Sequence, residues 1–271
     1  VKAAAPIRPA RFAGSWYPGD PVELRAELRA ALATGATPTP ARALVLPHAG
    51  YRFSLATAAA AVAQVEVPQT VVILCPNHTV PPPIIALWSR GSWETPLGSI
   101  PIDEARCAAL LEACPWIVSD TEAHRGEHAI ELILPLLQSR RDDLRLIPLV
   151  VAEPRFERLE ALAAALAEVL ADDPNALLIA SSDMSHFHDA SEARRRDERA
   201  LERLLAFDPR GLLERCQAED ISMCGVRPTT AVLLAARARG ASQVELVRYS
   251  HSGEVSGDHE RVVGYASCVV R

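Results

Sequence analysis

Long apolar runs are missing from this sequence. No stretch approaches the roughly 20 residues that cross a bilayer, and residues 1–11 lack the continuous apolar centre of a signal peptide. Cysteine occurs six times but in no CxxC pair and at no regular spacing. That argues against a disulfide framework and for reduced thiols. Basic charge is not in excess, since the formal net charge is -6, so a nucleic-acid partner has no electrostatic support. Internal repeats, low-complexity tracts and a linker between two halves are also lacking. These absences predict a soluble, cytoplasmic protein built as a single α/β domain over residues 1–271, with neither nucleic acid nor membrane as partner.

Against that background three short apolar runs stand out. They are Ala43-Leu44-Val45-Leu46, Thr70-Val71-Val72-Ile73-Leu74 and Ala176-Leu177-Leu178-Ile179-Ala180. None alternates apolar with polar, so each reads as a strand covered on both faces, as in a parallel sheet flanked by helices. Each also runs into a histidine: His48 after Pro47, His78 after Pro76-Asn77, and His186 after Ser181-Ser182-Asp183-Met184-Ser185. Ligands of open α/β sheets bind beyond the carboxyl ends of the strands, where such positions can converge.

Between the first two runs, the alanine-rich residues 54–65 read as a helix, giving a βαβ unit whose strands are parallel neighbours. Asp20, Pro21 and Glu23 predict a capped helix start, with Leu24, Leu28 and Leu32 as its apolar stripe. The turn-rich segment 8–19 reads as a surface strap. Pro81-Pro82-Pro83 ends the second histidine loop, residues 84–88 form a strand, and a polar excursion through 93–98 leads to a helix over 103–113. Further helices are expected over 129–138, kinked at Pro135, and over 154–171, 191–203 and 229–239. Strands are expected over 144–151, 244–249 and 262–269.

Neutral imidazole is the commonest metal ligand in proteins, and two imidazoles at strand ends call for a third donor. The residues leave three sources: Asp183 with His186, Glu127 with His128 at a helix start, or Cys224 in the loop before a helix. His124, His188, His251 and His259 lie in polar or turn-rich segments, where an exposed imidazole needs no special reason.

Six motifs then occur in a familiar order: Gly14-Ser15-Trp16-Tyr17, Pro47-His48-Ala49-Gly50-Tyr51, Pro76-Asn77-His78, Glu127-His128-Ala129-Ile130-Glu131, Ser181-Ser182-Asp183-Met184-Ser185-His186 and Cys224-Gly225-Val226-Arg227-Pro228. In these the chain resembles the Memo family, whose prokaryotic members are called AmmeMemoRadiSam system protein B. The resemblance implies a three-layer α/β/α fold with a mostly parallel central sheet, similar to class III extradiol dioxygenases. It implies His48, His78 and Cys224 as metal ligands, Asp183 and His186 on the catalytic loop, and Glu127 and His128 lining the same pocket. Tyr51 would either cap that pocket or pack as a core aromatic.

On this reading Fe(II) is the expected ion, with Zn²⁺ or copper allowed by the thiolate. The activity would be a non-haem iron, dioxygenase-like oxidation of a small chelating substrate, with His186 as acid and base. Two other functions fit the same resemblance: a non-catalytic adaptor that binds a peptide or protein, and a zinc-dependent hydrolase.

Overall fold

A computed structural model describes residues 5–79 and 85–271. In chain order its elements are β1 (Ile7–Arg8), α1 (Pro21–Leu32), β2 (Ala43–Leu46), α2 (Tyr51–Val62), β3 (Thr70–Cys75), β4 (Ile85–Leu87), β5 (Ser92–Thr95) and β6 (Gly98–Pro101). There follow α3 (Glu104–Ala113), β7 (Ile117–Ser119), α4 (Glu122–Arg125), α5 (Leu134–Gln138), β8 (Arg145–Val151), α6 (Phe156–Val169), β9 (Leu177–Ser181) and β10 (His186–His188). The chain closes with α7 (Ala190–Leu205), α8 (Pro209–Ala218), α9 (Val226–Ala238), β11 (Val244–His251), α10 (Gly253–Ser256) and β12 (Val262–Val270).

The three apolar runs are β2, β3 and β9, and every residue in them is buried. They lie at the heart of the main sheet in the order β2-β9-β3-β8, all parallel. Helices α1 and α2 cover one face, and α6, α8 and α9 the other. The expected three-layer α/β/α architecture therefore stands. Toward both edges, however, the sheet turns antiparallel, at β4 on β8 and at β12 on β2, so it is a mixed sheet. β12 is shared: its last residues pair with β2, its first with β10, and its other edge carries β11.

One expectation needs correcting. The strands of His48 and His78 are parallel but not neighbours, because β9 is inserted between them. Strand order depends on packing between distant segments, which local hydrophobic pattern does not encode. The insertion brings the loop after β9 between the two histidine loops.

Local chemistry accounts for the helix boundaries. The Asp20 side chain caps α1 by accepting from Val22 N and Glu23 N, each at 2.9 Å, and Leu24 and Leu28 face the core. Pro135 falls in the first turn of α5, where its missing N–H costs no bond, so it starts a helix rather than kinking one. The polar excursion at 92–101 is a hairpin, β5 and β6, joined by β1 into a small second sheet. The triproline and residue 84 lie outside the described residues. No helix among the described residues is long and apolar enough to cross a membrane.

The segment at 8–19 is an anchor rather than a surface strap. Arg8 is almost wholly buried; its Nη1 meets Glu131 Oε2 at 2.5 Å, its Nε donates to His124 O at 2.8 Å and its Nη2 to Glu127 O at 2.6 Å. The other oxygen of Glu131 accepts from Phe12 N (2.7 Å) and the Tyr17 hydroxyl (2.9 Å). Nothing in two arginines amid turn formers announces which of them is buried.

His124 is likewise buried, not exposed. Its Nε2 faces Ala86 O at 3.2 Å, and its ring lies edge-on to Trp88 and Trp93. Burial pulls its pKa down to about 3. The unfolded chain takes up a proton here near pH ~6.5, the folded chain only near 3, so between these values unfolding binds a proton and stability falls as the pH falls. His124→Gln should flatten the acid side of the stability curve, removing up to about 1.4 kcal/mol per pH unit across that window. Urea unfolding at several pH values measures the slope; an unchanged slope would place the acid sensitivity elsewhere.

Candidate metal centre

Loops from four parts of the chain meet at the carboxyl edge of the central strands. β2 delivers His48 and β3 delivers His78, while Glu127 and His128 follow α4 and Cys224 lies in the turn before α9. The rings of His48 and His78 are 5.3 Å apart, those of His48 and His128 5.3 Å, and those of His78 and His128 are stacked at 4.7 Å. One nitrogen of each ring lies within 4.8 Å of the others. His128, one of the third-donor sources the residues left open and a pocket-lining residue on the family resemblance, thus stands among the candidate ligands. Its one sequence signal is its place directly after Glu127.

Hydrogen bonding decides which nitrogen each ring offers. The Ser181 hydroxyl donates to Ala129 O (3.0 Å), so its oxygen accepts from His48 Nδ1–H (2.7 Å). The lone pair of His48 is therefore on Nε2. His78 Nδ1 is 2.9 Å from Glu127 Oε1, which as a carboxylate only accepts, so its Nε2 is free as well. His128 Nδ1 is 3.4 Å from the same Glu127 oxygen. Partners of this kind fix tautomer and orientation around metal-binding histidines.

Burial raises the Glu127 carboxyl, but the hydrogen bond from His78, the neighbouring imidazoles and Ala129 N–H outweigh it and hold the pKa at about 2. Burial depresses His48 to about 3, with His78 adding to the effect, and depresses His128 to about 4, with His48 adding to it. Burial lowers His78 too, yet its bond to Glu127 prevails and its pKa rises. Two of the three rings are thus held neutral, the form that ligates.

Cys224 Sγ is 3.4 Å from His48 Nε2. Ligands at ~2.3 Å (sulfur) and ~2.05 Å (nitrogen) on a tetrahedral ion stand roughly 3.6 Å apart, so the pair can share one ion. Without one the thiol stays protonated, because burial and the Asp183 carboxyl push it up. Cys224 is outside the set of three imidazoles and borders it on the His48 side. The donors fit a transition metal: three imidazoles, two of them with tied Nδ1 atoms, one sulfur and a buried carboxylate behind them.

Asp183 and His186 flank this set. Asp183 is buried, accepts from His48 N at 2.8 Å, and through its own N–H meets Cys224 Sγ at 3.2 Å. It braces the His48 loop and the sulfur. Burial raises its carboxyl against the pull of the His48 amide. His186 takes its orientation from Ser222, whose carbonyl accepts from Nδ1 at 3.0 Å. Tyr51 is in the core, its ring 5.4 Å from Tyr17. Trp16, half-exposed, lies 4.5 Å from the His128 ring.

Gly225 fixes how near Cys224 comes. A Cβ there would stand 2.3 Å from Ser181 O and 2.5 Å from Ser182 Cβ. Gly225→Ala should destabilise the protein by roughly 1–3 kcal/mol, as overpacking does, and push Cys224 away from His48. Thermal unfolding together with thiol labelling of Cys224 tests this; an unaltered labelling rate would count against it.

The family model described as Memo-like protein matches residues 8–269. A MEMO1 family protein of Methanopyrus kandleri is 39% identical, covering 96% of this chain and 97% of its own. Another, of Aquifex aeolicus, is 35% identical, covering 97% and 98%. In fold, the chain is similar to the crystal structure of an uncharacterized protein from Escherichia coli K12, with a TM-score of 0.55 and 16% identity over 85% of this chain and 100% of that one.

Proposed function

The chain belongs to the Memo family, and we propose that it is a metal-dependent oxidoreductase of the non-haem iron, extradiol dioxygenase-like kind. The observation that supports this most is the pair of Nδ1 locks, Ser181 on His48 and Glu127 on His78, which an adaptor surface has no need of. His48 and His78 would hold the ion, with Cys224 as third ligand and His128 beside them as a further donor. Iron, when bound, supplies Lewis-acid and one-electron chemistry toward O₂ and a chelating, catechol-like substrate.

The chain's own groups supply the rest. His186 would take the proton of a substrate hydroxyl on Nε2 while Ser222 holds the opposite nitrogen. Asp183 keeps His48 and Cys224 in register, and Glu127 supplies the negative charge behind the ligands. The half-exposed Trp16 indole walls the approach on the His128 side.

Elemental analysis of anaerobically purified wild type, His78→Ala, His128→Ala and Cys224→Ala tests the ligand set. Loss of metal in His78→Ala is expected, and equal metal in all four forms would reject the centre. Cobalt substitution assigns the third ligand: a near-ultraviolet sulfur-to-cobalt band that disappears in Cys224→Ala and persists in His128→Ala identifies the thiolate. Bands identical in wild type and Cys224→Ala would give the position to His128. O₂ uptake by iron-loaded protein with a catechol panel tests the oxidation itself, and consistent inertness would favour the adaptor function.

A further inference from the structure

The surface arginines of this chain are of two kinds. Those of α7 have their counter-charges beside them: Arg194 meets Glu198, and Arg195 and Arg196 meet Glu192, each at 2.6 Å, while Arg199 meets Glu219. Arg25 and Arg29 on α1, and Arg140 just past α5, have none. Among the described residues their guanidinium groups make no ion pair, no hydrogen bond and no contact with an aromatic ring.

The fold brings these three together. They line one groove of about 350 Å³ with Leu32, Ala33 and Ser139, and no carboxylate lines it. Arg25 and Arg29 stand one helical turn apart on α1, and a like-charged pair at that spacing weakens a helix. Arg29, in the last turn, is offset by the helix dipole, but Arg25 lies in mid-helix and is not. Across the groove, Arg140 N donates to Leu137 O at 2.9 Å, which fixes its backbone at the end of α5. Ser139 commits its hydroxyl proton to Leu136 O at 2.7 Å, so the free donors of the groove are the guanidinium groups, with five N–H each. A chain of net charge -6 thus gathers three unneutralised cations in one concavity, where their repulsion opposes folding.

We propose that this groove binds a diphosphate group, free or carried on a nucleoside. Guanidinium forks match phosphate oxygens in pairs, and the volume is within the range of small-ligand pockets, about 300–1,000 Å³. A diphosphate brings enough negative charge to offset three arginines, which a single carboxylate does not. Leu32 and Ala33 give whatever the phosphates are attached to an apolar surface to lie on. Arg140 is between α5 and the amino end of β8, whereas the candidate centre is at the carboxyl edge of the strands. The groove is therefore separate from the centre and independent of its chemistry.

Calorimetric titration of the metal-free full chain with pyrophosphate, ADP and inorganic phosphate tests this, in wild type, Arg25→Gln, Arg29→Gln, Arg140→Gln, Arg195→Gln and His78→Ala. Saturable binding of pyrophosphate is expected, weakened about tenfold or more by each groove variant, as for a lost hydrogen bond to a charged group. It should be unchanged in Arg195→Gln, the paired arginine of α7, and in His78→Ala. All four arginines are exposed, so their variants keep the fold, which thermal unfolding verifies. ADP bound no more tightly than pyrophosphate makes the diphosphate itself the ligand, and ADP bound more tightly adds the nucleoside. Inorganic phosphate bound as tightly as pyrophosphate, or an affinity unchanged in all three groove variants, would overturn the proposal. Loss of pyrophosphate binding in His78→Ala would do so by placing the ligand at the centre, and a single-stranded RNA that binds where pyrophosphate fails would give the groove to nucleic acid instead.

Discussion

Glu131→Gln is expected to destabilise the protein by about 3–5 kcal/mol, the usual cost of removing one partner from a buried ion pair. The variant leaves the Arg8 guanidinium in the core without its counter-charge and weakens the acceptor shared by Phe12 N and the Tyr17 hydroxyl. Arg8 also binds the carbonyls of His124 and Glu127, so the loss should spread to the wall that carries His128. Urea denaturation gives the energy, and amide exchange over 122–131 gives the location. The double variant Arg8→Met, Glu131→Leu should be more stable than Glu131→Gln, because it leaves no buried charge. A cost below ~1 kcal/mol for Glu131→Gln would mean the pair is solvated.

Glu127→Ala should weaken metal binding by about 10–100-fold, the loss usual when the group behind a ligating histidine is removed. His78 loses the partner of its Nδ1 and of its backbone N–H, and Ala129 N loses its acceptor. Glu127→Gln keeps an acceptor without the charge and should fall between the two. Competition with a chromophoric chelator measures the affinities, with circular dichroism as a check on folding. Unchanged affinity in a folded Glu127→Ala protein would show that the His78 tautomer is set elsewhere.

The strands were readable because burial on both faces leaves a mark on every residue: β2, β3 and β9 carry no polar side chain until their ends. His48 and His78 stood out for the same reason, as polar residues where such runs stop. Asp20 was readable because capping is a contact between near neighbours. Other features depend on partners far along the chain and leave no local pattern. Arg8 meets Glu131, His124 slips between two tryptophans, and β9 enters between β2 and β3. The hairpin at 92–101 was hidden because its strands, outside the main sheet, keep polar and glycine residues. Glu127 and His128 were legible as a pair, but not the stacking of His128 on His78.

The insertion of β9 also bears on how the polypeptide matures. During synthesis the two earliest core strands emerge first, yet they have no direct ladder to form with each other, and their common partner is made roughly 100 residues later. Such long-range closure slows folding and leaves two greasy, hydrogen-bond-hungry edges open to aggregation while the ribosome is still at work. Only when that late strand arrives do the loops bearing His48 and His78 acquire fixed positions relative to one another.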